Sequence, residues 1–256
     1  MIVSIAERHK YILQALHKEG FVKVLDLAAL LDVTPVTIRK DLKMLEEKGL
    51  LYRTHGSASP VNPHTGDRNV SEKEKIEPEK KRQIAIAAAK LIEPNDSIII
   101  NSGSTICVFA EQIKPVDCLT IVSASIKATM ILSENDNANI IQLGGAFRKR
   151  SVSVIGNYTL SFLQNITCSK LFLGVDGIDQ DFGITTSNIE EAELNKAMMA
   201  VASKTIILAD SSKFGRKGFG KICDIDKVDI IITDAEIPDS VREMIEEQGI
   251  ELIIAN

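Results

Sequence analysis

The sequence lacks paired cysteines, clustered histidines and long apolar runs, and each absence removes a class of protein. Cys107, Cys118, Cys168 and Cys223 are widely spaced and none sits in a C-x-x-C pair, so reduced, buried thiols are expected rather than a disulfide framework. His9, His17, His55 and His64 are scattered without an H-x-x-x-H pair, and no metal site is read. No apolar run approaches the ~20 residues that span a bilayer. The opening "MIVSIAERHKYILQAL" is interrupted by Glu7, Arg8, His9 and Lys10, so it has no signal-peptide core. A cytoplasmic protein with no membrane partner is expected. There is no internal repeat or low-complexity tract.

What is present is a chain of 256 residues, 45% apolar and 25% charged, long enough for one large domain or for a small and a larger one. Its net charge of −5 is unevenly divided. Residues 1–58 hold nine Lys/Arg against seven Asp/Glu, +2, which leaves −7 on the remainder. A basic module can therefore be hidden in an acidic whole.

The N-terminal part reads as three helices. Ile5, Ile12, Leu13 and Leu16 share a helical spacing over residues 4–19, and Gly20 ends it. Asp26 is the expected N-cap of a short second helix, "LAALL". The third helix has both ends signalled: Thr34 as N-cap, Pro35 at the first helical position and Gly49 beyond the last. Ile38, Leu42 and Leu45 stripe one face of it, and "LLYRTHG" follows as an extended piece. Three helices with a tight turn before the last, then a β-like tail, fit a winged helix-turn-helix; a helical unit with no DNA role has the same pattern. Thr34, Pro35, Thr37, Arg39, Lys40 and Lys43 on the third helix, with Arg53 and His55 in the tail, are the candidate DNA-binding residues.

Residues 59–78 are rich in Pro, Gly and charge and read as a linker. From 79 to 256 short apolar strands alternate with helices, which implies an α/β domain with a mostly parallel sheet and helices on both faces. Two stretches carry possible chemistry. "INSGSTICVFAEQI" places Ser102, Gly103, Ser104 and Thr105 between a strand and a helix, where N–H groups and hydroxyls can cradle a phosphate, although an ordinary N-capped turn looks the same. "LFLGVDGIDQDFGITT" delivers Asp176, Asp179 and Asp181 from a strand end, as α/β enzymes present acidic groups. "GRKGFGK" at 215–221 satisfies G-x-x-x-x-G-K, but Ile222 replaces the Mg²⁺-binding hydroxyl and no capped helix follows, so a mobile basic loop is expected instead of a P-loop.

The segment from Arg8 to Ala58 resembles the DNA-binding domain of the DeoR family of bacterial transcriptional regulators. The match runs through Thr37, Ile38, Arg39, Asp41, Leu42, Arg53, His55 and Gly56. The G-S-T loop, "QLGG" at 142–145, "VIG" at 154–156, "GITTSNIEEAELNKAM" at 183–198 and "ADSSKFG" at 209–215 are similar to that family's sensor domain, which resembles the sugar-phosphate isomerase fold. The resemblance implies a repressor that binds double-stranded operator DNA as a homo-oligomer, dimer or tetramer, and that is released by a phosphorylated sugar, with no cofactor. It implies ligand contacts at Ser102, Gly103, Ser104, Thr105, Gly144, Gly145, Asp176 and Lys213. "VDGIDQ" is similar to the D-G-A-D-E stretch of ribose-5-phosphate isomerases, but Gln180 replaces an acid and the lysine-bearing glycine segment is missing. No catalytic residue is therefore assigned. The competing readings are a sugar-phosphate isomerase with an accessory DNA-binding module, and an architectural DNA-binding protein whose second domain only oligomerises.

Overall fold

The computed structural model describes residues 4–19, 21–48, 50–54, 56–59, 67–114, 117–134 and 138–256. Gly20, Gly49 and His55 lie outside the described residues.

The N-terminal part comprises α1 (Ile5–Glu19), β1 (Val22–Lys23), α2 (Val24–Leu30), α3 (Pro35–Glu47), β2 (Tyr52–Thr54) and β3 (Ser57–Ser59). Ile12, Leu16, Leu27, Ile38, Leu42, Leu45 and Leu51 form its core. Ile5, grouped with that stripe by spacing, is 56% exposed, one turn beyond the reach of α3. The second helix starts before Asp26, which lies in its first turn while Lys23 is the N-cap. Tertiary pairing sets that start: the strands form an antiparallel wing in the order β1-β3-β2, and the Val24 N–H bonds the Gly56 carbonyl at 2.8 Å. α3 begins where its local signals put it, with the Thr34 hydroxyl accepting the Thr37 N–H at 3.2 Å and Pro35 at N1.

The linker contains a short helix, α4 (Val70–Lys73). Next come α5 (Pro78–Ala89), β4 (Ser97–Ile100), α6 (Ser104–Gln112), β5 (Thr120–Ser123), α7 (Ile126–Leu132), β6 (Asn139–Gln142), β7 (Ala146–Arg148), β8 (Ser153–Ile155) and α8 (Asn157–Leu163). The chain continues through β9 (Cys168–Gly174), β10 (Gly177–Asp179), β11 (Gly183–Thr186), α9 (Ile189–Val201), β12 (Ala202–Leu208), β13 (Gly220–Cys223), β14 (Ile230–Asp234), α10 (Asp239–Glu247) and β15 (Glu251–Ala255). Seven strands form a parallel sheet in the order β15-β14-β12-β9-β4-β5-β6.

Strand residues alternate between the faces of this sheet. Ile98, Ile100, Phe172, Ile206 and Leu208 pack with Ile84, Phe109 and Leu132 on one side. Ile99, Leu171, Leu173 and Ile207 pack with Leu163, Met198 and Ile245 on the other. Two small antiparallel sheets, β7-β8 and β10-β11-β13, sit beside the main one. "GRKGFGK" enters β13 instead of a helix. It is not loosely held: a Cβ on Gly218 would lie 2.5 Å from the Thr186 carbonyl, and Lys217 pairs with Asp179 at 3.3 Å.

Cys107 and Cys168 are buried, whereas Cys118 is exposed; all four are free thiols. No helix among the described residues is long and apolar enough to cross a membrane.

Candidate functional site

The sheet order defines where a ligand can sit. From β4 the chain moves outward through β5 and β6, then returns to β9 on the other side of β4 and moves on to β12. In an open α/β sheet the crevice beyond the carboxyl ends of strands at such a reversal is the binding position. Here the chain leaving β4 supplies Asn101, Ser102, Gly103, Ser104 and Thr105, the chain leaving β9 supplies Asp176, and the chain leaving β12 supplies Lys213. All of these line one cleft.

Gly103 precedes α6 with φ of +133°, a conformation that L side chains avoid, and nothing lies within 4 Å of a Cβ built there. The cost of a side chain is therefore backbone strain, not crowding. Ser104 and Thr105 are buried in the first turn of α6, where N–H groups have no intrahelical acceptor. Asn101, buried, donates to the Gly174 carbonyl at 3.0 Å and accepts the Gly174 N–H at 2.9 Å, which locks β4 to β9 beneath the cleft.

Asp176 accepts the Ser187 N–H at 2.9 Å and a hydrogen bond from Lys73 at 2.7 Å. Burial disfavours its charge, but Lys73, Lys213 and Ser187 outweigh that and hold the carboxyl below the usual range. Glu191 runs the other way. Burial pushes its carboxyl up, Ser151 and Arg148 only partly offset this, and its Oε1 has no hydrogen-bond partner among the described residues. Lys213 stands 3.6 Å from buried Asp210, which caps the turn Ser211–Lys213 through the Ser212 N–H at 3.1 Å.

Gly144 and Gly145 are not among the residues lining the cleft. A Cβ on Gly145 would lie 2.5 Å from both the Ile155 carbonyl and the Thr159 hydroxyl, and that hydroxyl donates to the Gly144 carbonyl at 2.6 Å. Gly145 permits close packing of the β7-β8 hairpin on α8, whereas a Cβ on Gly144 would meet nothing within 4 Å. Asp179 and Asp181 also lie away from the cleft; Asp179 accepts the N–H groups of Asp181 and Phe182 and shapes a turn. Sequence reasoning missed Asp67, Arg68 and Lys73 from the linker region, and Arg148, Arg150 and Ser151 from the hairpin loop, all of which line the cleft. The basic doublet around Lys149 was the one available signal for the hairpin residues.

On α3, Thr34, Arg39, Lys40 and Lys43 are exposed while Pro35 and Thr37 are half-buried. Arg39 and Lys40 have no ion-pair partner among the described residues. Arg53 of the wing is pinned by Glu46 at 2.7 Å. Asp41, on the opposite side, is buried against Arg8 and His9.

A winged helix-turn-helix joined to an α/β domain with a cation-rich cleft defines a two-domain, ligand-responsive transcriptional regulator. Residues 8–63 match the DeoR-like helix-turn-helix domain and residues 76–235 the DeoR C-terminal sensor domain, and the chain belongs to the DeoR family. It is 35% identical over 99% of its length to a putative aga operon transcriptional repressor of Escherichia coli O157:H7, covering 95% of that protein. It is 29% identical to the glycerol-3-phosphate regulon repressor of Haemophilus influenzae, with 97% of this chain and 96% of that one covered. Among solved structures it is similar to ribose 5-phosphate isomerase A from Neisseria gonorrhoeae, at 20% identity and a TM-score of 0.39 over 53% of each chain.

Proposed function

We propose that this chain is a cytoplasmic repressor of a sugar-utilisation operon that leaves its operator when a phosphorylated sugar binds the cleft. In this reading residues 1–58 bind DNA, 59–78 connect, and 79–256 sense the ligand and hold a homo-oligomer, dimer or tetramer, together. The observation that carries it is the charge of the cleft. Arg68, Lys73, Arg148, Arg150 and Lys213 face Asp67, Asp176 and Glu191, so a formal surplus of two positive charges meets an anion. A phosphate monoester carries ~1.5 to 2 negative charges at pH 7. The first turn of α6 with Ser104 and Thr105 takes the phosphate, Lys213 completes its charge, and Asp176 accepts hydroxyl hydrogen bonds.

Turnover by proton transfer needs a base poised between protonation states. The partners that an isomerase sets around such a base are not retained here, since Gln180 replaces an acid and the lysine-bearing glycine segment is missing, and this supports a sensor that does not turn its ligand over. A panel of hexose and pentose phosphates, scored by release of the full-length protein from its own upstream DNA, tests the proposal. Release by at least one compound at micromolar to millimolar concentration is expected. Steady isomerisation abolished by Asp176→Asn would replace the sensor with the enzyme.

A further inference from the structure

We infer that Arg148, together with the first turn of α6 and Lys213, reads the anionic group of the effector and that Asp67, in the segment joining the two domains, is a stand-in for that group. This rests on the sugar-phosphate reading above and assigns the regulation of the same cleft.

Asp67 Oδ2 lies 2.6 Å from Arg148 Nη2 and 3.5 Å from Arg150 Nε, and Asp67 Oδ1 accepts from the Ser187 hydroxyl at 3.4 Å. Arg148 is nine-tenths buried, donates to the Ser151 hydroxyl at 3.1 Å and lies 3.5 Å from Glu191. It is a fixed, permanently charged fork, suited to carboxylate or phosphate oxygens. Asp67 is about one-third exposed, so its half of the pair is far less committed than Arg148's. The backbone follows the side chain: the Arg150 guanidinium also donates to the Asp67 carbonyl, and the Val70 N–H bonds the Arg150 carbonyl at 2.7 Å.

Six residues later the pattern repeats with the sign reversed. Lys73 places its ammonium 2.7 Å from Asp176, the group assigned to the ligand's hydroxyls. The connecting segment thus inserts an anion and a hydrogen-bond donor into the cleft, which are the two chemistries of a sugar phosphate. The space left among these groups is about 40 Å³. That accommodates about three waters, whereas small-molecule sites need several hundred Å³. A sugar phosphate enters by exchanging its anion for Asp67 and its hydroxyls for Lys73. The connecting segment is then expelled, and the differential affinity is delivered to the chain that leads into the DNA-binding domain.

The test uses the full-length protein with inorganic phosphate as probe, alongside the sugar-phosphate panel. Asp67→Asn should bind phosphate five- to twentyfold more tightly than wild type. The same charge change at exposed Glu72 of α4, which touches neither arginine, should leave the affinity within twofold. In wild type, phosphate should accelerate hydrogen exchange of amides 67–74. Arg148→Gln, a second and independent probe, should weaken phosphate binding at least tenfold. Equal gains from Asp67→Asn and Glu72→Gln, weaker binding by Asp67→Asn, or slowed exchange at 67–74 would overturn the stand-in. If wild type and Asp67→Asn bind phosphate equally while sugar phosphates still release DNA, only this inference fails. If neither protein responds to phosphate or to any panel member, the sugar-phosphate reading fails with it.

Discussion

Phe21 of the DNA-binding domain seats on Gly215 of the sensor domain, where a built Cβ would lie 3.1 Å from the Phe21 Cβ. Gly215 also has φ of +70° and follows Lys213 by two residues, and its N–H bonds the Ile178 carbonyl at 2.8 Å. The turn carrying a proposed ligand lysine therefore ends against the other domain. Gly215→Ala should cost ~1–2 kcal/mol through left-handed strain alone. It should also raise hydrogen exchange at residues 21–24, measured with the full-length protein. An unchanged exchange pattern would show that the contact does not hold the domains together.

Within the DNA-binding domain, Arg8 Nε and Nη2 reach Asp41 Oδ2 and Oδ1 at 2.5 and 3.0 Å, staple α1 to α3, and exclude Asp41 from DNA contact. Asp41→Ala would leave a buried guanidinium without its carboxylate, so ~3–5 kcal/mol should be lost. Denaturant unfolding followed by helical circular dichroism should show an early transition that Asp41→Asn shifts less.

Arg39→Ala should weaken operator binding by ~1–3 kcal/mol, the cost of a lost base contact, and leave sugar-phosphate binding intact. Arg53→Ala should act differently. Glu46 holds Arg53 through its N–H and its guanidinium, and the substitution keeps the first and removes the second, so the wing is less firmly tied and domain stability should fall. Filter binding beside thermal unfolding separates the two effects.

Lys81 supplies the pH dependence. Its ammonium is buried and donates to the carbonyls of Lys73 (2.5 Å) and Ile76, and burial lowers it to about 8 from 10.5. Between about 8 and 10.5 the unfolded chain binds the extra proton, so stability from this group rises with pH across that window and the burial cost is fully present below it. Relative to Lys81→Met, wild type should gain on the order of 2–3 kcal/mol between pH 8 and 10.5. A difference that stays flat would contradict the shift.

How much of this was legible in the sequence depends on the range of the forces involved. Thr34 and Pro35 announce the start of α3 because a cap is made within four residues. The alternation of "SIII", "KLFLG" and "TIIL" with helices announces the parallel sheet because burial on both faces demands continuous apolar strands. The hairpins β7-β8 and β10-β11 were not read, since strands of three or four residues with mixed composition have too few positions to show a period. Asp26 looked like a cap until the pairing of β1 with β3 started the helix earlier. Gly144 and Gly145 were assigned to the ligand by resemblance, whereas the need for glycine at 145 comes from Ile155 and Thr159. Arg148 had only its basic neighbours as a local sign and Lys73 had none, because their roles exist only once the strand crossovers bring residues 67–73, 148–151 and 176 to one cleft.

If ligand sensing and DNA binding occupy separate sites joined by differential affinity, Lys213→Ala should uncouple them. Operator affinity of the full-length variant should match wild type, because Lys213 pairs with Asp210 of its own turn and not with a residue of α3. Release should need roughly ten- to a hundredfold more sugar phosphate, the loss of a charge-assisted contact of ~1.5–3 kcal/mol. Normal repression with release at the wild-type concentration would exclude Lys213 from the sensing site.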